Sequence, residues 1–319
     1  MGACREPSAD ALGAGRGRRR HACAVGVRED GQVTAAERAG GTSGIATEAL
    51  ETLRSAGRTI ARRDVSVSAA QLTYFASIAI VPWLLLACWS TTWFTDTSEA
   101  ERRLLDLRSL VPPDMGARGP FATLVTAGTG LGVGGALVTV LPASFYGEGI
   151  RRGCLSLLPA HDRLTGWQAR LWMLPLLVLV APLSIAVIRL SSGPLDLAGR
   201  EGLGARLLLI VVEFTITWLA LTAPLTWVFR QVAPGHLRWT SAGIGALATA
   251  AFLAGFLQGF LLFLSIPIDL GVPFGGLDVV GGVVAVGFWL FLLHLVLLVG
   301  WVLTVELDDR LRAAREGKR

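Results

Sequence analysis

Glu213 and His294 are the two side chains whose placement demands a chemical explanation. Glu213 lies about eight residues into an apolar run over 205–229, so roughly 12 Å deep at about 1.5 Å per residue. An ionisable group at such depth costs roughly 3 kcal/mol unless paired. Arg206, on the same helical face, and Arg189 are its candidate partners. Two readings fit: a structural ion pair or hydrogen-bonded carboxyl, or a proton or cation relay. His294 falls near the middle of another apolar run and suits either a hydrogen-bonded packing residue or a relay. A third polar group sits in Gln71–Trp89. At 3.6 residues per turn, Gln71, Thr73, Tyr74 and Ser77 share one half of the circumference. Leu72, Phe75, Ala76, Ala79, Ile80 and Trp83 fill the other. Pro82 frees the carbonyl of Ile78. Freed backbone in hydrocarbon is tolerated where it is buried in protein or faces a wet cavity. The polar half is therefore expected to point inward, either as a kinked helix bonded to its neighbours or as a broken helix lining a pathway.

The elements that must position these residues are apolar helices. Half of the chain is hydrophobic (52%), 17% is charged, and the mean hydropathy is +0.56. A soluble domain carries about 25% charge. The pattern is that of an all-α integral membrane protein with six transmembrane helices and short amphipathic surface helices. The spans are expected near 68–93, 121–141, 169–190, 205–229, 241–266 and 279–305. Residues 1–45, rich in Arg, Gly and Ala, read as a disordered cytoplasmic tail. Residues 46–66 read as an amphipathic juxtamembrane helix, 67–306 as the membrane domain and 307–319 as a charged cytoplasmic tail. Between the first two spans, Ser98 and Glu101 form a capping-box pattern, and a short outer helix is expected to run to Pro112-Pro113. Residues 143–167, with Arg151, Arg152 and Arg163, read as a cytoplasmic loop. More arginine flanks the inner ends of the spans than the outer ones, which places both termini in the cytoplasm.

Several chemistries are excluded. Gly130, Gly132 and Gly135 match GxGxxG, but no strand precedes them and apolar sequence surrounds them. Gly128/Gly132, with Gly255/Gly259 in the fifth span, read instead as small-residue packing pairs. His21, His161, His236 and His294 fall in four separate segments, and no clustered carboxylates, HExxH, GxSxG or phosphate loop is present. Phosphodiester hydrolysis would need a metal cluster that these residues do not supply. No cofactor, metal or nucleic-acid partner is expected. The basic residues fit membrane flanks, and the partners expected are membrane lipids.

The run Leu72-Thr73-Tyr74-Phe75-Ala76 followed by Pro82 resembles the first membrane segment of the YihY/virulence factor BrkB family. Arg230 to Pro234, Gly245-Ala246, Phe274-Gly275-Gly276-Leu277, Trp289, and Gly300 through Glu306 resemble its later segments in order. The resemblance implies a multi-pass protein of the bacterial cytoplasmic membrane. A pathway for a small solute or lipid is then expected between the first, fourth and sixth spans, lined by Tyr74, Ser77, Glu213 and His294, with Pro82 and Pro224 as helix breaks. The two prolines in comparable spans also suggest inverted halves, a common transporter plan. The alternative is a non-catalytic membrane scaffold supporting envelope assembly; an embedded enzyme is the least favoured. A polar cavity reaching Glu213 would favour solute transport, and a dry bundle with an apolar groove would favour a lipid handler or scaffold.

Overall fold

The computed structural model describes residues 51, 54–58, 60–61, 63–110, 118–158, 167–176, 203–264, 266 and 270–317. The expected tail over 1–45, Arg163, Arg189, Pro182 and most of the third expected span lie outside the described residues. Among the described residues there is no strand.

Helix α1 is Val65–Thr91 and contains no charged residue. Its last carbonyls would be orphaned in a bilayer. The hydroxyls of Ser90, Thr91 and Thr92 meet this need, donating to the carbonyls of Ala87, Cys88 and Trp89 at 2.7, 2.6 and 2.7 Å. Helix α2, Thr97–Asp106, follows with Asp96 at its N-cap position. The expected capping box does not form: Ser98 lies inside the helix, and Glu101 instead accepts a 2.7 Å hydrogen bond from Thr126. Glu99 bridges Arg102 and Arg103 on the exposed side. Pro112-Pro113, the expected end of this helix, lies outside the described residues.

The second expected span is displaced. Helix α3 is Arg118–Thr129, and a new helix, α4, runs from Val133 to Leu157. Gly132 caps α4 in an extended conformation, so 121–141 is not one helix. The expected loop over 143–167 is therefore helical as far as Leu157. Together α3 and α4 run antiparallel along α1. Gly128 meets Cys88, the Trp83 indole donates to the Ala143 carbonyl at 3.0 Å, Gly149 meets Phe75, and Ser68 bonds Ser156 at 2.7 Å. A Cβ at Gly128 or Gly149 would collide with α1, so these two positions require glycine.

Residues 167–176 form helix α5, whose Ala169 carbonyl and Met173 press on Gly147 of α4. Helix α6 is Leu203–Trp227 and widens into a single π-type turn over Val228–Val232. Pro224 sits inside α6, as Pro82 does inside α1, and neither ends its helix. Helix α7 is Trp239–Leu264. A short turn, with Gly275 and Gly276 at φ of 68° and 82°, leads to α8, Asp278–Glu316. At 39 residues, α8 is about 58 Å long and overshoots a hydrocarbon core of roughly 30 Å. The charged segment expected as a tail thus continues the last helix.

Helices α7 and α8 pair antiparallel. Gly245 receives Thr304, and Gly300 receives Thr249; a Cβ at either glycine would fall on the facing threonine. Each threonine hydroxyl returns to its own helix, Thr249 to the Gly245 carbonyl and Thr304 to the Gly300 carbonyl, both at 2.7 Å. The contact is thus close and leaves no polar atom bare. The predicted Gly255/Gly259 pair does not play this part. Gly255 has open space before it, and Gly259 makes ordinary contact with Trp289.

Five helices, α1, α4, α6, α7 and α8, are long and apolar enough to cross a membrane among the described residues. The third expected span is described only over its start, in α5. The protein is an all-α membrane protein.

Candidate functional site: an apolar cavity with a hydrogen-bonded histidine

A cavity of about 390 Å³ lies where the crossing helices converge. Its wall is built of apolar side chains from α1, α4, α5, α6, α7 and α8, among them Ala79, Ile150, Met173, Leu221, Pro224 and Leu253. Small residues on α1 make room for it: Ala76 and Ala79 are buried and line the space. Tyr146 and His294 bring the polar groups to this wall.

These two belong to one chain of hydrogen bonds. Thr73 Oγ1 donates to the Ala69 carbonyl at 2.8 Å. Its one proton is thereby used, so the hydroxyl accepts from His294 Nδ1 at 3.1 Å. Nδ1 then carries the ring proton, and Nε2 accepts the Tyr146 hydroxyl at 3.0 Å. The network thus assigns a single neutral tautomer to a histidine that is 2% exposed. Buried in apolar surroundings, such a fully satisfied network fixes the relative positions of α1, α4 and α8.

The other sequence-predicted residues are elsewhere. Tyr74 is 65% exposed, and Ser77 and Glu213 are also exposed; none lines the cavity. Of the polar half of α1 expected to point inward, Thr73 does so and bonds His294, whereas Gln71, Tyr74 and Ser77 are exposed. Leu72, Ala76 and Ala79 are the buried side of α1, and Ala76 and Ala79 line the cavity. Ser77 needs no inward partner, since it donates to the Thr73 carbonyl at 2.8 Å. Pro82 is half-buried within an uninterrupted α1, so the broken-helix reading fails there. Pro224 does line the cavity. Arg189 and the Arg206 side chain, the candidate partners of Glu213, lie outside the described residues. Gly132 does not pack with Gly128: it faces open space.

Two features escaped the sequence reading. Tyr146 fell in the segment read as a loop. So did Glu148, which is 2% exposed and held by Arg151 at 3.2 Å and Arg152 at 2.6 Å. The Glu-x-x-Arg-Arg spacing, with neutralising partners one turn along, was the signal that these charges belong to a helix. At the end of the bundle where α1 begins, Asp308 is 1% exposed and collects Arg238 at 3.0 Å, Arg312 at 2.6 Å and the Ser241 hydroxyl at 2.5 Å. We call this the basal end.

The family model for virulence factor BrkB matches residues 56–319. The chain belongs to the virulence factor BrkB family. No curated protein and no solved structure matches it. Several BrkB-like positions hold structural contacts. Leu72 is fully buried, Pro234 is buried after the π-type turn, and Gly300 admits Thr249. Glu306 pairs with Arg310 at 3.4 Å. Among these positions Tyr74 faces outward.

Proposed function

We propose that this BrkB-family protein holds or passes a lipidic molecule in its central cavity, without chemical conversion, in the bacterial cytoplasmic membrane. The observation that carries the reading is the cavity wall: apolar side chains from six helices, with the polar groups of Tyr146 and His294 already bonded to each other. Such a wall suits an acyl chain better than a hydrated ion or polar solute. Glu213 lies away from the cavity, so a carboxylate relay through it has no support here. Both His294 ring nitrogens have partners, which leaves neither free to act as a base. Arg238, Arg310 and Arg312 gather at the basal end, and that supports a cytoplasmic position for it and for both termini.

The test is lipid retention. Purified protein in mild detergent should carry phospholipid by native mass spectrometry. Ala79→Trp or Leu221→Trp should fill the cavity and reduce bound lipid at least about tenfold, with the fold intact by circular dichroism. Unchanged retention in both folded variants would count against the cavity and favour a scaffold.

A further inference from the structure

Arginines stand close in sequence to three residues that line the cavity. Ile150, Met173 and Val228 line it. Arg151 follows Ile150, Arg170 lies one turn basal of Met173, and Arg230 lies two residues past Val228. Helices α5 and α6 are tied at this level: the Trp227 indole donates to the Trp172 carbonyl at 2.8 Å. Arg170 and Arg230 both sit on the basal side of that bond.

These two arginines differ from their neighbours. Arg151 and Arg152 hold Glu148, while Arg238 and Arg312 hold Asp308. Arg170 and Arg230 have no carboxylate partner among the described residues. Each guanidinium lies over an aromatic ring, Arg170 over Phe145 at 4.4 Å and Arg230 over Trp239 at 5.5 Å. A ring covers the face of a guanidinium and leaves its edge, where the N–H groups point, to other partners; at Arg230 one of these groups, Nη1, meets His236 Nδ1 at 3.5 Å. In both residues Nε is buried and has no hydrogen-bond partner. A buried, unpaired donor on a cation is unfavourable in a low-dielectric setting, and a phosphate is a matched acceptor for it.

We propose that the occupant is an anionic phospholipid, which places one acyl chain in the apolar cavity and its phosphate against Arg170 and Arg230. This rests on the lipid-binding reading above and adds the headgroup charge and the residues that select it. The cavity volume of about 390 Å³ lies in the roughly 300–1,000 Å³ range of ligand pockets, at the small end, which suits one chain rather than two. The second chain would remain in the bilayer between helices.

The experiment reconstitutes the full chain in nanodiscs and compares lipids of identical chains, phosphatidylglycerol and phosphatidylcholine, by native mass spectrometry with competition. Phosphatidylglycerol is expected to be retained at least about tenfold over phosphatidylcholine. Arg170→Gln with Arg230→Gln should abolish that preference while phosphatidylcholine retention stays unchanged, and Arg170→Lys with Arg230→Lys should restore part of it. The headgroup comparison in the unaltered protein needs no variant to fold. Equal retention of the two lipids would overturn the headgroup assignment and leave the lipid cavity standing. Retention of oleate with neither phospholipid favoured would overturn it in favour of a free fatty acid. Retention of no lipid at all would overturn both readings.

Discussion

At the scale of single residues, the central contact is the bond from Tyr146 to His294 Nε2. Tyr146→Phe removes the donor and leaves a buried acceptor unpaired, which should destabilise the protein by about 1–3 kcal/mol. Unfolding in mixed micelles, followed by tryptophan fluorescence, would measure it. Adding His294→Leu removes the orphan, so the double variant should lose less than the sum of the single losses, with coupling of about 0.5–3 kcal/mol. Strict additivity would mean that the two side chains do not interact. His294 was legible in the sequence as a polar residue deep in a leucine-rich run. Its partners were not, because Tyr146 lay in an apparent loop and Thr73 shared a face with Tyr74 and Ser77. Projection onto a helix separates polar from apolar positions, but it does not say which half is inside. The spacing of Ala69, Leu72, Ala76 and Ala79, all buried, was the relevant stripe, and it consists largely of small residues.

At the scale of elements, hydropathy placed the starts of four helices within a few residues. The first, fourth, fifth and sixth spans, expected from 68, 205, 241 and 279, begin at Val65, Leu203, Trp239 and Asp278. The second failed for a physical reason. Glycine lowers neither local hydropathy nor apolar periodicity enough to reveal a break, yet Gly130 to Gly132 interrupts the helix. Beyond it, Glu148, Arg151 and Arg152 neutralise one another inside α4, while each taken alone reads as loop chemistry. The α7–α8 seam provides two checks. Gly300→Val would drive two methyl groups into Thr249 and should cost about 1–3 kcal/mol by overpacking, whereas Gly255→Ala, facing open space, should be neutral or stabilise by up to about 1 kcal/mol. Thermal stability of the two variants in one detergent distinguishes them, and equal losses would contradict the seam. At its basal end Asp308→Asn weakens a charge-assisted hydrogen bond from Arg238 and removes the ion pair with Arg312. Those arginines are partly exposed, so a loss of about 1–3 kcal/mol is expected, together with faster proteolysis after 305. An unchanged digestion pattern would show that the charged end of α8 is held by other contacts.

At the scale of the whole molecule, the helices close around a space that their sequences do not announce. No single span encodes the cavity: it arises where the small residues Ala76 and Ala79 on α1 face larger side chains such as Leu221 on α6 and Leu293 on α8. The first, fourth and sixth spans, expected to line a pathway, share the cavity wall with three other helices, and of Tyr74, Ser77, Glu213 and His294 the wall includes His294. The most direct measurement is photocrosslinking by a diazirine-bearing phospholipid in native membranes, with adducts mapped by peptide mass spectrometry. The account predicts adducts on the inward surfaces of three helices, near Ala79, Leu221 and Leu293, and their loss in Ala79→Trp. Adducts confined to outward residues such as Tyr74, Phe252 and Leu262, unchanged in that variant, would contradict it.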